Sequence, residues 1–282
     1  MPGIRVEGHP VELTSEAQST EARPTEPQRR YRLAELTRVE LQQRLPGATV
    51  VIPIGATEQH GPHLPLLTDH LMAETIALQA ASRVPASVDV LVAPVLAYGC
   101  SSHHLAVGGA LTISQRTYIG LLVDLGEGLA RMGCKRLVFL NGHGGNEDAM
   151  RVAANELVFE RRLGMAVSAA SYWAIGEAVL AGLPFAGPGH AGHFETSGVM
   201  ALRPDLPQLD ARYPEDASPR PLASMGKING ITVRSPGIWE ASDGVSDAAD
   251  LASAELGAEI IDGISQAAAD FLTAFHEQPL LT

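Results

Sequence analysis

Along the chain, short contiguous runs of β-branched and aliphatic residues alternate with longer stretches in which apolar residues recur every three or four positions. Ala48-Thr-Val-Val-Ile-Pro-Ile54 has the character of a buried strand, and Asp69 to Arg83, with Leu71, Met72, Ile76 and Leu78 at helical spacing, predicts a helix. Val88 to Ala93 predicts a second strand, ended by Pro94. Ser114 stands where an N-cap belongs for a helix reaching Met132, and Gly133 closes it. Arg136 to Leu140 predicts a third strand that runs into Asn141-Gly-His-Gly-Gly-Asn146 and then a helix from about Glu147 to Arg162. A fourth strand follows over Met165 to Tyr172. A helix starts near Glu195 and ends before Pro204, and a long final helix covers roughly Asp247 to Phe275, its alanines suited to close packing on a sheet. Residues 204–246, rich in Pro, Gly, Asp and Ser, predict loops. Strands alternating with helices define an α/β domain with a mainly parallel sheet.

Composition narrows the picture. The chain has 282 residues, enough for one large domain with a substantial core. Met1 to Gln28, with few large apolar side chains, predicts a flexible N-terminal extension, so the expected organisation is 1–28 extension and 29–282 single domain. A formal charge of −12 and the lack of any Lys/Arg cluster argue against a nucleic-acid partner. Cys100 and Cys134 lie far apart without a CxxC arrangement, which suggests neither a disulfide framework nor a thiolate zinc site. No run approaches the roughly 20 apolar residues of a membrane span, and the N-terminus lacks a signal-peptide pattern. A soluble, cytoplasmic protein with no membrane partner is the expectation.

The chemistry concentrates in three runs. Eight of the ten histidines lie between His60 and His193. In the first run Glu58 and His60, one residue apart in an extended segment, project to the same side. Asp69 follows at a helix start, where exposed N–H groups favour a carboxylate. Carboxylate, imidazole and a second carboxylate suit Zn²⁺, Mn²⁺ or similar ions; the alternative is that they cap a loop. His143 sits in the glycine loop at the carboxyl end of a strand. Such a loop also suits phosphate, but its spacing matches neither a P-loop nor a dinucleotide fingerprint. Glycines such as Gly144 there let backbone approach a metal or substrate closely. The third run, His190-Ala-Gly-His-Phe-Glu195, supplies two imidazoles and a carboxylate for a second metal shell or a proton donor, with His193 the more peripheral, beside the substrate.

Gly55-Ala-Thr-Glu-Gln-His-Gly-Pro-His-Leu-Pro-Leu66 with Asp69, the Asn-Gly-His-Gly-Gly-Asn loop and His-Ala-Gly-His-Phe-Glu-Thr-Ser197 together resemble the creatininase family of metal-dependent amidohydrolases, over most of residues 34–275. The resemblance implies a three-layer α/β/α sandwich, a centre of two divalent ions (Zn²⁺ and/or Mn²⁺, with Fe²⁺ also compatible), a small-molecule substrate and a homo-oligomer, commonly a hexamer. It places Glu58, His60, Asp69, His143 and Glu195 on metal ligands with Asp69 as the bridge, His190 on the proton donor and Trp173 on a substrate-contacting tryptophan. It implies cleavage of an amide or cyclic amide C–N bond by activated water. Creatinine-hydrolysing members carry a glutamate where this chain has Gly145 and a second tryptophan where it has Ala186, which argues against creatinine. A mycofactocin-precursor-type peptidase and a formamide deformylase are the alternatives within the family. A non-catalytic phosphate- or nucleotide-binding or assembly protein is the alternative outside it.

Overall fold

In the computed structural model, residues 31–185, 187–213, 227–228 and 231–280 are described. Four strands, β1 (Thr49–Ile54), β2 (Val90–Val92), β3 (Arg136–Asn141) and β4 (Ala166–Ser171), form one parallel sheet in the order β2-β1-β3-β4. Six longer helices accompany them: α1 (Arg38–Arg44), α2 (Thr68–Arg83), α3 (Gln115–Arg131), α4 (Glu147–Asn155), α5 (His193–Leu202) and α6 (Ala254–Glu277).

The strands read as apolar runs because both faces of the sheet are covered. Successive residues point to opposite faces. Val50, Ile52, Ile54, Leu137 and Phe139 join Tyr118 and Leu122 of α3 and Met150 of α4 on one side. Val51, Val90, Val92, Val138 and Leu140 join Met72 and Ile76 of α2, Phe194 of α5, and Ile260 and Ile264 of α6 on the other. The result is the expected three-layer sandwich. The alanines of α2 and α6 (Ala77, Ala80, Ala268, Ala269) are buried in that second core, where small side chains let the helices lie close.

From β1 the chain crosses through α2 to β2 at one edge, then returns through α3 to β3 on β1's other side. The direction of winding therefore reverses between β1 and β3. Open parallel sheets offer a crevice at such a point, outside the carboxyl ends of the strands. Register makes those ends level, with Ile54 beside Asn141 and Asn141 beside Ser171.

Some boundaries depart from the pattern. The third helix begins as expected, with Ser114 Oγ accepting from Thr117 N at 3.3 Å, and Gly133 follows it at φ 102°. The helix opening at Glu147 keeps α geometry only to Asn155 and continues as a π-helical turn over Glu156–Glu160. The final helix starts at Ala254, capped by Ser253 Oγ on Leu256 N, and not near Asp247. Residues 247–253 instead turn back toward His190, as described below. The 204–246 region holds a short antiparallel strand pair (Lys227–Ile228 with Ile231–Thr232) and a helical turn, Ile238–Ala241. The 1–28 extension and Ala186 lie outside the described residues. Both cysteines are free and buried, and no helix among the described residues is long and apolar enough to cross a membrane.

Phe139 is fully buried between the sheet and α3/α4. Phe139→Ala is expected to cost about 3–5 kcal/mol of stability by transfer and cavity terms, read as a lower midpoint in urea unfolding with an unchanged slope.

Candidate metal centre

The loop after β1 delivers the first two groups. Glu58 N is held by Leu66 O at 3.1 Å, and His60 Nδ1–H donates to the Glu58 carbonyl at 3.1 Å. That bond leaves His60 Nε2 to face Asp69 Oδ1 at 2.9 Å and Glu195 Oε2 at 3.6 Å. Asp69 stands in the first turn of α2, and Thr68, its neighbour, ties back to Pro65 O at 2.8 Å.

His143 is set by the asparagines of its own loop. Asn141 accepts from His143 N at 3.0 Å and donates to His143 O at 2.7 Å. Asn146 donates to Gly55 O at 3.0 Å and accepts from Cys100 N at 2.9 Å, joining the loops after β1, β2 and β3. His143 Nε2–H points to Cys100 O at 3.2 Å. Its Nδ1 then lies 3.2 Å from Glu58 Oε1 and 3.1 Å from Asp69 Oδ2. The polar side chains of the glycine loop are thus spent internally, and a phosphate entering there would meet two carboxylates.

The third run joins from α5. Glu195, in its first turn, accepts from Ala191 N, and Ala191 is held at φ 58°. His190 N donates to Ser246 Oγ at 2.6 Å and Ser246 N donates to His190 O at 3.0 Å, while Ser246 Oγ reaches Asp247 Oδ1 at 2.6 Å. Asp247 presses so close that a Cβ on Gly192 would sit 1.9 Å from its Oδ2. This is why the run needs glycine there.

All five residues predicted as ligands converge. Among the described residues, Glu58 with His60 and Asp69, His60 with His190 and Glu195, Glu58 with His104 and His190, and Glu58 with His103 and His143 each bring ligand atoms within 4.8 Å of one another. Asp69 turns one oxygen to His60 and the other to His143, so two half-sites share it. His190 lies in the same cluster, its ring 4.3 Å from that of His60.

Electrostatics match a cation site. Burial alone would raise the Glu58 carboxyl, but His143 and His104 beside it hold it well below the usual range. Burial would lower His143, yet Glu58 and Asp69 push it up to about 10. His60 is likewise raised against its burial by Asp69 and Glu195. Glu195 is raised, chiefly by burial. His190 is depressed well below the ordinary histidine value by burial, then by His60 and His104. Both Glu58 oxygens and Asp69 Oδ2 are buried without an aligned hydrogen-bond partner. Buried carboxylates are costly unless paired or bound to a metal, and this donor set of imidazoles and carboxylates suits a divalent ion.

Other expectations fall differently. Trp173 is not among the rings of the cluster. It stands edge-on to Tyr172 at 5.1 Å and lines a cavity of about 630 Å³ with Leu180, Leu183 and Phe185. His193 turns away from the ligand atoms; its Nδ1 accepts from Leu251 N at 3.2 Å and its ring packs on Phe185 at 4.8 Å. Gly144 is exposed, with open space where a Cβ would be. The sequence reading missed His104, Gln59 and Trp239. The Trp239 ring lies 4.3 Å from His104 and 5.0 Å from His190, carried by a turn in a segment read as loop. The adjacent His103-His104 pair was the one available signal.

A parallel α/β sheet with a buried histidine–carboxylate cluster at its topological switch point defines an α/β protein with a candidate metal centre. Residues 34–272 match the model of the creatininase family, described as creatinine amidohydrolase, and the chain belongs to that family. It is 36% identical over 176 residues to a mycofactocin precursor peptide peptidase of Mycobacterium ulcerans, covering 61% of this chain and 65% of that one. To a creatinine amidohydrolase of Pseudomonas putida it is 34% identical over 196 residues, covering 63% and 74%. A solved mutant creatininase of Zn–Zn type superposes with a TM-score of 0.73 at 28% identity, covering 88% of this chain and 98% of that one. The chain spans 58% to 65% of the length of the two mycofactocin peptidases first matched.

At Gly145 a Cβ would stand 2.2 Å from Cys100 O and 2.4 Å from His143 Nε2. Gly145→Glu is therefore expected to displace His143 and cost about 1–3 kcal/mol through overpacking, with lower bound metal by elemental analysis and no gain of creatinine hydrolysis.

Proposed function

We propose that this protein is a metal-dependent hydrolase that cleaves a carbon–nitrogen bond next to a carbonyl. The observation that carries the reading is the shared carboxylate: Asp69 Oδ1 at 2.9 Å from His60 and Oδ2 at 3.1 Å from His143, with Glu58 and Glu195 closing the two sides. Glu58, Asp69 and His143 would hold one divalent cation, and His60, Asp69 and Glu195 a second. Zn²⁺ and Mn²⁺ both suit mixed nitrogen and oxygen donors. When bound, such ions supply Lewis acidity, making water a nucleophile at neutral pH and polarising the carbonyl under attack.

The chain's own groups do the rest. His60 is oriented through its Nδ1 bond to Glu58 O, and His143 through its Nε2 bond to Cys100 O, so each presents its other nitrogen to the cluster. His190 donates from Nε2 to Gln59 O at 2.9 Å, which leaves Nδ1, 3.8 Å from Glu58 Oε1, as the atom that exchanges protons. Its depressed pKa keeps it neutral at rest, so the Nδ1 lone pair is free to take the proton of the attacking water and, as a stronger acid once protonated, to give it up again. That proton is then delivered to the departing nitrogen, which leaves poorly as an anion. The Trp239 ring covers the His104–His190 side and shields it from water.

For the substrate, the blocked position at Gly145 argues against a creatinine-type site. The similarity to mycofactocin precursor peptide peptidases favours a short peptide over a creatinine-like ring. A screen of short peptides, formamides and cyclic amides with added Zn²⁺ or Mn²⁺ tests this. Hydrolysis abolished by chelation is the expected result; turnover that persists without metal would sink the reading. Asp69→Ala is expected to lose both bound metal and activity. His190→Ala should keep metal while turnover falls by about 10²–10⁴-fold, measured by elemental analysis beside initial rates.

A further inference from the structure

Gln59 lies between the metal ligands Glu58 and His60 in sequence and is itself buried, 7% exposed. Its amide has a definite orientation. Gly61 N donates to Oε1 at 2.9 Å, which identifies that atom as the oxygen. The two hydrogens on Nε2 go to Gly244 O at 2.9 Å and to His104 Nδ1 at 2.8 Å. An amide N–H requires an acceptor, so His104 Nδ1 carries a lone pair and its proton sits on Nε2. That N–H edge stands 3.3 Å from Glu58 Oε1.

The same amide decides His190. Its Nε2 lies 3.1 Å from Gln59 Nε2, whose hydrogens are both committed, and 2.9 Å from Gln59 O. It therefore carries its own proton, donated to that carbonyl, and the lone pair is on Nδ1, toward Glu58.

We propose that Gln59 is a positioning residue that sets the tautomers of both histidines, so that His104 presents an N–H to Glu58 and His190 presents a lone pair to the cluster. His104 thereby turns a protonated Nε2, and not a lone pair, toward the Glu58 carboxylate 3.3 Å away, which makes it a steering group for that carboxylate and not a ligand. The consequence for catalysis rests on the hydrolase reading above; the tautomers themselves do not. Carboxylates that bind a metal are commonly steered by such outer donors, whose loss weakens affinity.

Two-bond ¹H–¹⁵N correlation spectra of the metal-free protein distinguish protonated from unprotonated imidazole nitrogens. The expected wild-type pattern is a proton on Nε2 of both His104 and His190. Gln59→Glu replaces the donor by an acceptor, so His104 should gain a proton on Nδ1. A wild-type His104 protonated on Nδ1, or no change in Gln59→Glu, would overturn the proposal. Zn²⁺ titration supplies the second readout. His104→Phe keeps a ring but no donor and should weaken binding about tenfold or more, whereas His104→Gln, which retains an N–H, should stay within about threefold of wild type. Equal losses in both variants, or none in either, would count against an orienting donor. A wild-type protein that binds no divalent cation would end the hydrolase reading, while the spectra would still decide the tautomers.

Discussion

Three carboxylates and at least four imidazoles gather at the carboxyl ends of the strands, and Asp69 is the member on which the others turn. Its two oxygens face His60 and His143 from opposite sides while Glu58 and Glu195 stand close by. Taking such charges out of water costs several kcal/mol per ion unless they are well paired. The imidazoles partly offset that cost, which is why His60 and His143 hold their protons far above the ordinary histidine range. A divalent cation in place of those protons satisfies the carboxylates that have no aligned partner. The cluster is thus an arrangement that the rest of the fold has to enforce.

Enforcement comes from backbone-directed side chains. Asn141 and Asn146 tie the loops after β1, β2 and β3 to one another. Ser246 and Asp247 grip the His190–His193 turn from a distant part of the chain. The glycines of the motifs mark the places where these clamps come too near for a side chain, as Gly145 does against Cys100 O and Gly192 against Asp247. A motif that reads as metal chemistry is thus, at several of its positions, a motif for close backbone packing. Lost bonding in the clamps would loosen ligand geometry without touching a ligand.

Much of the fold was legible because both its periods are local. Contiguous apolar runs marked all four strands, and spacing with caps such as Ser114 marked the helices. The candidate ligands were legible too, since Glu58, His60, Asp69, His143 and Glu195 sit in dense runs at element ends. The start of α6 was misplaced because alanines at 248, 249 and 252 continue a helical composition through a segment that tertiary bonding to His190 and His193 holds in bends and a turn. Trp239 was overlooked because its turn lies in a stretch with no periodicity. Its role depends wholly on what folds beneath it.

Residue order by itself determined which elements form, that both faces of the sheet are covered, and which groups have the chemistry to hold a cation. Those properties follow from neighbours within a few positions. Only the tertiary structure decided that His104 joins the cluster, that Trp239 packs on His104 and His190, and that the Gln59 amide meets two imidazoles. Each of these is a contact between residues 45 to more than 130 positions apart, and a hydrogen bond's direction cannot be read until both its ends share a place.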